Sequence, residues 1–551
     1  MGDNNMSSSK MTFPSKFAET LSSQGKKNAY AFVGENPKTY EEVDREIRAV
    51  MAFLERNGIS RGDKVAILSA NMPNWGIAFF SITFMGAVVV PVLPDFSSTE
   101  VRNVLDHSES KAIFISTPLL NRIEGYKSET LKTIIQIEDF KITGSEGTSD
   151  VYNQSDVPAG KYDVEEDDIA SIIYTSGTTG RSKGVMLTHK NITFNAMKGM
   201  VIQWIDENDR FLSVLPLSHT YENTLGLILP MLGGACVYFL RKPPTPVVLL
   251  PAMAEVKPTM MLTVPLIMEK IYFNKILPSI QEKVVLKMLY KISFFRKLLN
   301  KAAGKKLYAT FGGNLKFYGI GGAKLNRTVE KFLIEAKFPY AIGYGLTETA
   351  PLLAGANPSK SVFESTGPAI EDIELIINNP DKKTGEGEIW TRGPNVMKGY
   401  YKEPAMTSEV ITPDGWFKTG DLGSLDKRNN LYIKGRLKNM IVGASGENIY
   451  PEEIESVINN FRYVVESLVI QQKGKLVAMV HLNMEEIEKK YQNLKEDMSE
   501  KYEEKKEELL TELKEYVNSH VNKFSQINKI ILQSAPFQKT ATLKIKRFLY
   551  T

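Results

Sequence analysis

Residues 169–184 read IASIIYTSGTTGRSKG in one-letter code. The first five residues have the apolar, β-branched composition of a buried strand, and the segment after them is rich in glycine and hydroxyl side chains. Glycines allow a tight turn and a close approach of the backbone to phosphate oxygens, to which amides and hydroxyls donate hydrogen bonds. Lys183 adds a positive charge. The stretch therefore predicts a strand followed by a phosphate-binding loop.

This loop is not a Walker loop. Counting from Gly177, the residues Ser182-Lys183-Gly184 stand where that motif needs Gly-Lys-Ser/Thr. A glycine-rich linker is the alternative interpretation. A linker, however, does not need hydroxyl residues before a lysine directly after a buried strand, so we favour phosphate binding.

Strand-like runs alternate with helical periods on both sides of this loop, from about residue 39 to residue 440. Examples are residues 64–68, 111–115 and 315–320. This alternation predicts an α/β fold with largely parallel sheets. A chain of 551 residues is longer than one typical domain. We predict a large N-terminal multi-layer α/β domain, residues 1–436, and a small mobile C-terminal α+β domain, residues 437–551.

Composition excludes several classes of protein. The single cysteine, Cys236, cannot form an internal disulfide, which indicates a reducing, cytoplasmic compartment. Five histidines and one cysteine exclude a zinc finger, and a net charge of +4 gives no reason to expect nucleic acid as a partner. The first fourteen residues lack the apolar core of a signal peptide. The uncharged runs 75–93 and 224–240 contain glycine and proline, so we expect buried elements there instead of membrane spans.

Residues 270–306 contain ten Lys or Arg and one acid, Glu282, together with five aromatic residues. This pattern predicts one or two basic amphipathic helices, which would suit peripheral contact with the anionic inner face of a membrane. The alternative, which we favour here, is a solvated helix face whose aromatic residues pack inward. A second biased segment, residues 485–515, is dominated by Glu and Lys and predicts a long exposed helix within the C-terminal domain.

Seven further segments complete the pattern. They are Leu215-Pro216-Leu217-Ser218-His219-Thr220-Tyr221-Glu222, Gly319-Ile320-Gly321-Gly322-Ala323, Tyr344-Gly345-Leu346-Thr347-Glu348, Gly415-Trp416-Phe417-Lys418-Thr419-Gly420-Asp421, Tyr432-Ile433-Lys434-Gly435-Arg436-Leu437-Lys438-Asn439, Gly443-Ala444-Ser445-Gly446-Glu447-Asn448-Ile449 and Thr540-Ala541-Thr542-Leu543-Lys544-Ile545-Lys546-Arg547. With the phosphate loop, these segments resemble, in order, the motifs of the adenylate-forming (AMP-binding) superfamily, which includes acyl-CoA synthetases, luciferases and peptide-synthetase adenylation domains.

The resemblance implies a site for ATP or AMP. Its residues would be Thr175, Ser176, Gly177, Thr178, Thr179, Gly180, Lys183, Gly321, Gly322, Ala323, Tyr344, Gly345, Thr347, Asp421, Arg436 and Lys544. By resemblance, Tyr344 stacks on adenine, Thr347 binds the α-phosphate and Asp421 accepts hydrogen bonds from the ribose hydroxyls. Glu348, with Thr175, would hold Mg²⁺.

The same resemblance places the catalytic residues and the route of the second substrate. Thr347, Glu348 and Lys544 would be catalytic, although Leu543 stands where relatives commonly have glycine, and Lys546 is the alternative lysine. Lys438 would be the hinge. His219 would border the acyl pocket and thiol entrance. Gly443, Gly446 and Glu447 would line the channel for coenzyme A.

The implied activity is that of an ATP-dependent acid–thiol ligase that uses ATP, Mg²⁺ and coenzyme A. The 215–222 segment and residues 264–272 most resemble long-chain fatty acyl-CoA synthetases, which indicates a fatty acid as substrate. Two alternatives stay open: an aryl-acid or carrier-protein-directed acyl-AMP ligase, and a non-catalytic nucleotide- or lipid-binding scaffold. The sequence leaves the chain length of the acid and the oligomeric state open.

Overall fold

The computed structural model of the protein describes residues 10–143, 162–176, 182–443, 448–490, 499–540 and 545–550. The strands are β1 (Asn28–Phe32), β2 (Lys38–Thr39), β3 (Lys64–Leu68), β4 (Val88–Val92), β5 (Ala112–Ile115), β6 (Thr133–Gln136), β7 (Lys141–Ile142), β8 (Ile169–Ser176), β9 (Ser182–Thr188), β10 (Arg210–Ser213), β11 (Cys236–Phe239), β12 (Met260–Thr263), β13 (Phe317–Ile320), β14 (Tyr340–Gly345), β15 (Leu352–Gly355), β16 (Glu374–Asn378), β17 (Gly387–Arg392), β18 (Gly399–Tyr400), β19 (Phe417–Leu425), β20 (Leu431–Arg436), β21 (Ile441–Val442), β22 (Asn448–Ile449), β23 (Val464–Gln472), β24 (Lys475–Leu482) and β25 (Lys529–Gln533).

The α-helices are α1 (Phe13–Gln24), α2 (Tyr40–Arg56), α3 (Pro73–Phe84), α4 (Ser98–Ser108), α5 (His189–Ile202), α6 (Thr220–Glu222), α7 (Leu229–Gly233), α8 (Pro246–Val256), α9 (Pro265–Ile271), α10 (Leu277–Gln281), α11 (Val284–Tyr290), α12 (Ser293–Thr310), α13 (Arg327–Ala336), α14 (Pro404–Val410), α15 (Pro451–Ile458), α16 (Met484–Lys490) and α17 (Ser499–His520). Two π-helical segments, Asn223–Ile228 and Tyr272–Ile276, lie within the helical regions.

Two eight-stranded sheets form the N-terminal part of the molecule. The first has the order β15-β14-β13-β12-β10-β11-β1-β2 and the second the order β18-β9-β8-β4-β3-β5-β6-β7. Most inner strands of both sheets are parallel. The exceptions are β9, which pairs antiparallel with β8, and the edge strands β2, β7, β15 and β18, which are antiparallel to their neighbours. A parallel sheet is buried on both faces, which explains why β3 and β4 are apolar along nearly their whole length.

The main hydrophobic core lies between these two sheets. Helix α3 fills its centre, where Trp75 and Phe79 are fully buried and stack with ring centroids 5.6 Å apart. The same core takes in side chains of both sheets, among them Ile67 of β3 and Val237 of β11. Separate cores cover the outer faces of the two sheets, beneath α8, α12 and α13 on the first and beneath α4 on the second. The predicted multi-layer α/β architecture is confirmed.

Both long uncharged runs are buried elements of this architecture, as predicted. Residues 75–93 form most of α3, a turn at Gly86 with φ +68°, and β4. Residues 224–240 form π-helix, α7 and β11, with Gly234 in the left-handed region. Among the described residues, no helix combines the length and the apolar character needed to cross a bilayer.

The C-terminal part has its own α+β core. Strands β23, β24 and β25 form one sheet, and Ile454 of α15 and Leu513 of α17 pack in the cluster on it. The predicted long helix at 485–515 corresponds to α16 and α17, and residues 491–498 between them lie outside the described residues. The division into domains at residues 436 and 437 and the mobility of the smaller one stay predictions.

The prediction of one or two helices in the basic segment 270–306 is wrong in detail. The chain forms a π-helical segment and the helices α10, α11 and α12 there, because Lys283 and Ile292 have extended backbone conformations that separate the helices. The inward packing of the aromatic residues holds for Tyr272, which is 1% exposed, but fails for Phe294, which is 67% exposed. Because Phe294 does not pack in the core, its ring is part of an exposed apolar surface on the basic segment.

Candidate functional site

The described residues of the predicted phosphate loop belong to strands β8 and β9, an antiparallel hairpin. Thr175 pairs with Lys183, and Ser176 with Ser182, so the hairpin brings the two ends of the loop together. Gly177, Thr178, Thr179 and Gly180 lie outside the described residues. The Lys183 ammonium lies 4.7 Å from the ring centroid of Tyr400, so the Lys183 side chain makes a cation–π contact with this ring.

Glu348 is joined to this hairpin through Tyr400. The Tyr400 hydroxyl donates to Glu348 Oε1 over 2.9 Å, and Tyr400 itself belongs to β18, which pairs with β9 directly after the loop. Burial, followed by the Glu348 charge, raises the pKa of Tyr400, so its hydroxyl stays a donor at neutral pH. Lys183 and Glu348, which are distant in the sequence, therefore both contact Tyr400, Lys183 at the ring and Glu348 at the hydroxyl.

A second cluster forms around Asp421. This buried carboxylate accepts a hydrogen bond from the Tyr344 hydroxyl at 2.7 Å and forms an ion pair with Arg436, with Nε 2.8 Å from Oδ1. Asp421 and Arg436 are directly opposite each other on β19 and β20, so sheet geometry alone brings them together. Burial and the Asp421 charge raise the pKa of Tyr344 well above 10, which keeps the phenol protonated.

The two clusters share one loop. Tyr344 at the end of β14 belongs to the Asp421 cluster, and Glu348, four residues on, belongs to the Tyr400 cluster. A Cβ at Gly345 would stand 1.9 Å from the Pro351 carbonyl oxygen, so the chain can fold back here only with glycine. The Arg436 guanidinium also interacts electrostatically with the Glu348 carboxylate and the Tyr400 phenol, so the two clusters are close enough to influence each other. Thr347 lies in the 3₁₀ turn of the same loop.

The Gly319–Ala323 turn meets the 215–222 segment. The Tyr221 ring lies against the glycine backbone: a Cβ at Gly319 would stand 2.9 Å from the Tyr221 hydroxyl, and one at Gly321 would stand 3.2 Å from its ring carbons. Gly321 is buried, whereas Gly322 and Ala323 are exposed. Gly319 and Gly321 therefore accept the ring of Tyr221, whereas Gly322 and Ala323 face solvent.

His219 begins the short helix α6, and its Nδ1 accepts a hydrogen bond from the Tyr221 amide at 3.3 Å. The segment that carries it is tied to both sheets by a buried polar network. Asn71 donates to Ser213 Oγ at 2.9 Å and to the Leu215 carbonyl at 2.6 Å, and Ser213 donates to Glu222 Oε1 at 2.6 Å. The network holds the backbone on both sides of His219 in place.

The predicted hinge and C-terminal residues lie further along the chain. Lys438 is exposed in a 3₁₀ turn after β20, and its neighbour Asn439 donates to Glu452 of α15 over 2.6 Å. Gly443 is the last described residue of its segment, and Gly446 and Glu447 lie outside the described residues.

Leu543 and Lys544 also lie outside the described residues. The segments on either side of them are paired, since Lys539 bridges to Ile545 and the Lys546 amide donates to the Gln538 carbonyl at 2.9 Å. Arg547 forms an ion pair with Glu455 of α15. The residues directly after the predicted catalytic lysine, 545–547, are thus anchored to the rest of the protein.

Residues 17–401 match the family described as AMP-binding enzyme. The chain belongs to the AMP-binding enzyme family. The resemblance drawn from the motifs is thereby confirmed.

Relatives and solved structures extend this family assignment. Long chain acyl-CoA synthetase 7, peroxisomal, of Arabidopsis thaliana is 30% identical over 484 residues, which cover 81% of this chain and 69% of that protein. A 4-coumarate–CoA ligase of Vanilla planifolia is 26% identical over 90% of this chain and 85% of that protein. The o-succinylbenzoate CoA synthetase MenE of Bacillus subtilis, solved with its acyl-adenylate intermediate, has the same fold, with a TM-score of 0.76, 23% identity and coverage of 97% and 98% of the two chains.

These comparisons make the protein a member of the adenylate-forming acyl-CoA ligases within the AMP-binding enzyme family. Among the predicted residues that the structure describes, Lys183 and Glu348 both contact Tyr400, and Tyr344, Asp421 and Arg436 form a second cluster. Tyr400, which holds Lys183 and Glu348 together, was missed by sequence reasoning. Its only signal is the pair of tyrosines after Gly399, which by composition resembles an ordinary edge strand. The Asn71–Ser213–Glu222 network was missed for the same reason, because polar residues in apolar segments do not reveal their partners.

Glu222 makes the stability of this family member depend on pH. Burial raises its pKa from 4.5 to about 8, so the folded protein keeps a proton that the unfolded chain releases near pH 4.5. Folding therefore takes up one proton between pH 4.5 and about 8. Over this range the free energy of unfolding falls as pH rises, by up to about 1.4 kcal/mol per pH unit, and above about 8 the contribution of Glu222 is lost. We therefore expect the urea midpoint of the wild type to fall relative to that of Glu222→Gln as pH rises from about 5 to about 8.

The matched control is Glu409→Gln, because Glu409 is an exposed glutamate on α14. This variant should follow the wild type at every pH. Glu330, another buried acid with a pKa raised to about 7, is present in all three proteins and cancels in the comparison. Parallel pH profiles for wild type and Glu222→Gln would contradict the assignment of the proton to Glu222.

Proposed function

We propose that the protein is an ATP-dependent acid–thiol ligase that converts a fatty acid and coenzyme A into acyl-CoA, AMP and pyrophosphate through an acyl-adenylate. The observation that carries the proposal is the convergence of the β8–β9 hairpin, Glu348 and the Asp421 cluster around Tyr400 and Arg436. One nucleotide bound there would meet a phosphate loop at one end and a buried carboxylate at the other.

Asp421 is suited to the ribose. It is 5% exposed, accepts a hydrogen bond from the Tyr344 phenol and is ion-paired with the Arg436 guanidinium, and these two contacts fix its direction. An ionised carboxylate is a strong acceptor for the two adjacent hydroxyls of a ribose. Arg436, whose side chain is 45% exposed, can reach the sugar from the same side.

The part of the site next to the phosphate loop is suited to a Mg²⁺ ion whose ligands are mainly phosphate oxygens and water. Glu348 offers a carboxylate whose Oε1 is oriented by Tyr400, and Thr175 lies at the start of the loop, while the described residues contain no cluster of three or more His, Cys, Asp or Glu side chains able to hold a metal alone. Mg²⁺ commonly binds in this way, through one or two carboxylates and substrate phosphates. When bound, the ion supplies charge neutralisation of the phosphates.

The first half-reaction is the attack of the substrate carboxylate on the α-phosphorus, with pyrophosphate as the leaving group. Two unit charges at about 4 Å repel by about 4 kcal/mol at an effective dielectric constant of about 20. Thr347 and Lys544 would offset this repulsion by donating to the phosphate and carboxylate oxygens. Alignment and electrostatic stabilisation are enough, because no protein nucleophile is needed.

In the second half-reaction the thiol of coenzyme A attacks the acyl carbonyl, and AMP leaves. We infer that the C-terminal domain turns about Lys438 between the two steps, removing Lys544 and bringing Gly443, Gly446 and Glu447 to the thiol channel. The hinge position is supported by the short turn Leu437–Asn439 that separates β20 from the C-terminal core. Such exchange of active-site parts by a moving domain is a recognised form of gating.

A fatty acid is supported by the relation to the long-chain acyl-CoA synthetase of Arabidopsis thaliana. The Tyr221 ring packs against Gly319 and Gly321 close to His219, where it could form one apolar wall of an acyl pocket. Each methylene that such a wall buries contributes about 0.8 kcal/mol, which favours long acyl chains. The similarity to the 4-coumarate–CoA ligase of Vanilla planifolia supports an aryl acid as the second candidate.

The proposal is tested by measuring pyrophosphate and AMP release with a panel of fatty and aromatic acids, each with and without coenzyme A. We expect the highest kcat/KM for a long-chain fatty acid, together with formation of its CoA thioester. A preference for aromatic acids would establish the second candidate. Release of pyrophosphate without any thioester would indicate a carrier protein as acceptor, and no release with any acid would indicate a non-catalytic scaffold.

A further inference from the structure

The basic segment that sequence analysis singled out carries an apolar surface on α11, α12 and the turn between them. We define the 284–298 patch as the side chains of Val284, Val285, Met288, Ile292, Phe294, Phe295 and Leu298. Each of these side chains is between 38% and 73% exposed. Seven exposed apolar side chains within fifteen residues are a dense apolar group of the kind that marks an interaction site in soluble proteins.

The helices turn this patch outward because their other faces are anchored in the protein. Gly304 of α12 packs so closely on α13 that a Cβ there would stand 2.6 Å from the Ala336 Cβ. On the same face, Asn300 donates to Glu335 over 2.7 Å and Leu307 is buried. Phe294 and Leu298, four residues apart, share the opposite face. Packing therefore fixes which side of α12 meets solvent.

Positive charge runs beside the apolar side chains. Lys283, Lys287 and Lys291 are exposed, and each directly precedes an exposed apolar residue of the patch, namely Val284, Met288 and Ile292. Residues 283–306 contain eight Lys or Arg and no Asp or Glu. Within the described residues, Arg296 is the one cation of this stretch paired with a carboxylate, that of Glu335.

The cationic surface continues past the patch into a cleft between α12 and α13. The cleft has a volume of about 560 Å³, and Lys297, Arg327 and Lys331 are among the residues that line it. Arg327 forms a 3.4 Å ion pair with Glu364, so one of these charges is partly neutralised. A partner that fits this surface must therefore have an apolar region that covers the patch and negative charges around that region.

We propose that the 284–298 patch docks the protein on an anionic lipid bilayer, with the apolar side chains in the acyl region and the surrounding lysines at the headgroups. This arrangement of apolar side chains within a lysine-rich surface is how amphipathic helices bind the membrane interface. The alternative with inward-facing aromatic residues is excluded for Phe294 and Phe295, which face solvent. A second copy of the chain is a poor occupant, because two such cationic surfaces would repel each other.

The test is co-sedimentation of the full chain with vesicles of equal parts phosphatidylglycerol and phosphatidylcholine, at low and high salt, with pure phosphatidylcholine vesicles alongside. The apolar variant is Met288→Ser with Phe294→Ser, and the charge variant is Lys287→Gln with Lys291→Gln. Their matched controls change exposed residues elsewhere: Trp204→Ser with Phe524→Ser, and Lys382→Gln with Lys383→Gln.

We expect binding to anionic vesicles that weakens with salt, a loss of about tenfold in the apolar variant and a smaller, salt-sensitive loss in the charge variant, with both controls unchanged. Absence of wild-type binding at low salt, or equal binding by all variants, would overturn the proposal. So would a wild-type dimer in light scattering that the apolar variant dissociates, since the patch would then bind a second copy.

The assay contains no ATP, acid or coenzyme A, so its result is independent of the proposed ligase activity. Pyrophosphate release with a water-soluble acid, in the absence of vesicles, should be the same for the wild type and both patch variants. Loss of that release in the patch variants would overturn the separation of the membrane surface from the active site, even if vesicle binding fell as expected.

Discussion

Replacing Asp421 with asparagine is expected to weaken ATP binding by about a hundredfold or more. Hydrogen bonds to a charged group contribute about 1.5–3 kcal/mol each, and an asparagine accepts from the two ribose hydroxyls without the charge. Its amide would also face the Tyr344 hydroxyl and the Arg436 guanidinium, which are both donors. The measurement is calorimetric titration with ATP and Mg²⁺ in the absence of the acid substrate, so that no turnover occurs.

Asp426→Asn is the matched control for this variant. Asp426 follows the end of β19 and caps the turn to β20, where it accepts from the Arg428 and Asn430 amides. The control tests whether a change of charge on the same hairpin is enough to weaken binding. An unchanged Kd for Asp421→Asn, or an equal loss in Asp426→Asn, would contradict the ribose assignment.

Replacing Lys544 with alanine is expected to slow adenylate formation by at least about a hundredfold, the usual cost of losing one preorganised donor to developing charge. Thioester formation from supplied acyl-adenylate should be largely kept, because the proposed domain rotation has removed Lys544 before that step. The two steps are measured separately, by acid-dependent pyrophosphate exchange and by acyl-CoA formation from synthetic acyl-adenylate.

Lys546→Ala is the control for this experiment and also its main rival. Its backbone amide is bound to the Gln538 carbonyl, two residues past the position assigned to catalysis. We expect pyrophosphate exchange close to the wild-type rate in this variant. The opposite pattern, with exchange lost in Lys546→Ala and kept in Lys544→Ala, would assign the catalytic role to Lys546. Leu543 would then no longer stand directly before the catalytic lysine.

The layer architecture and the family were predictable from local patterns. The strand at 169–173, the helix and strand within 75–93, and the order of the motifs all depend on residues close together in the chain. The motifs also assigned Asp421 and Arg436 to one nucleotide site, although their direct pairing across β19 and β20 is a result of the structure. These features follow from periodicity and turn chemistry, which short segments carry by themselves.

Contacts between distant segments were not predictable in this way. Tyr400 and Glu348 meet only because β18 adds to the edge of β9, and Tyr221 covers Gly319 and Gly321 only because β10 and β13 both flank β12. The residues next to Tyr400 and Tyr221 in the sequence would look the same whether or not these contacts formed. What each tyrosine touches is set by strand order, which single segments do not encode.

The sequence alone therefore determined the family, the α/β layers and the chemical groups available to the site, because each depends on spacing within short segments. Only the tertiary structure decided how Lys183, Glu348, Asp421 and Arg436 approach one another, and which aromatic residues of the basic segment face solvent. The physical reason is that packing of helices and strands far apart in the chain selects one partner for each side chain. The outward position of Phe294 is the clearest case, since its helix is held by Asn300 and Gly304 on the other face.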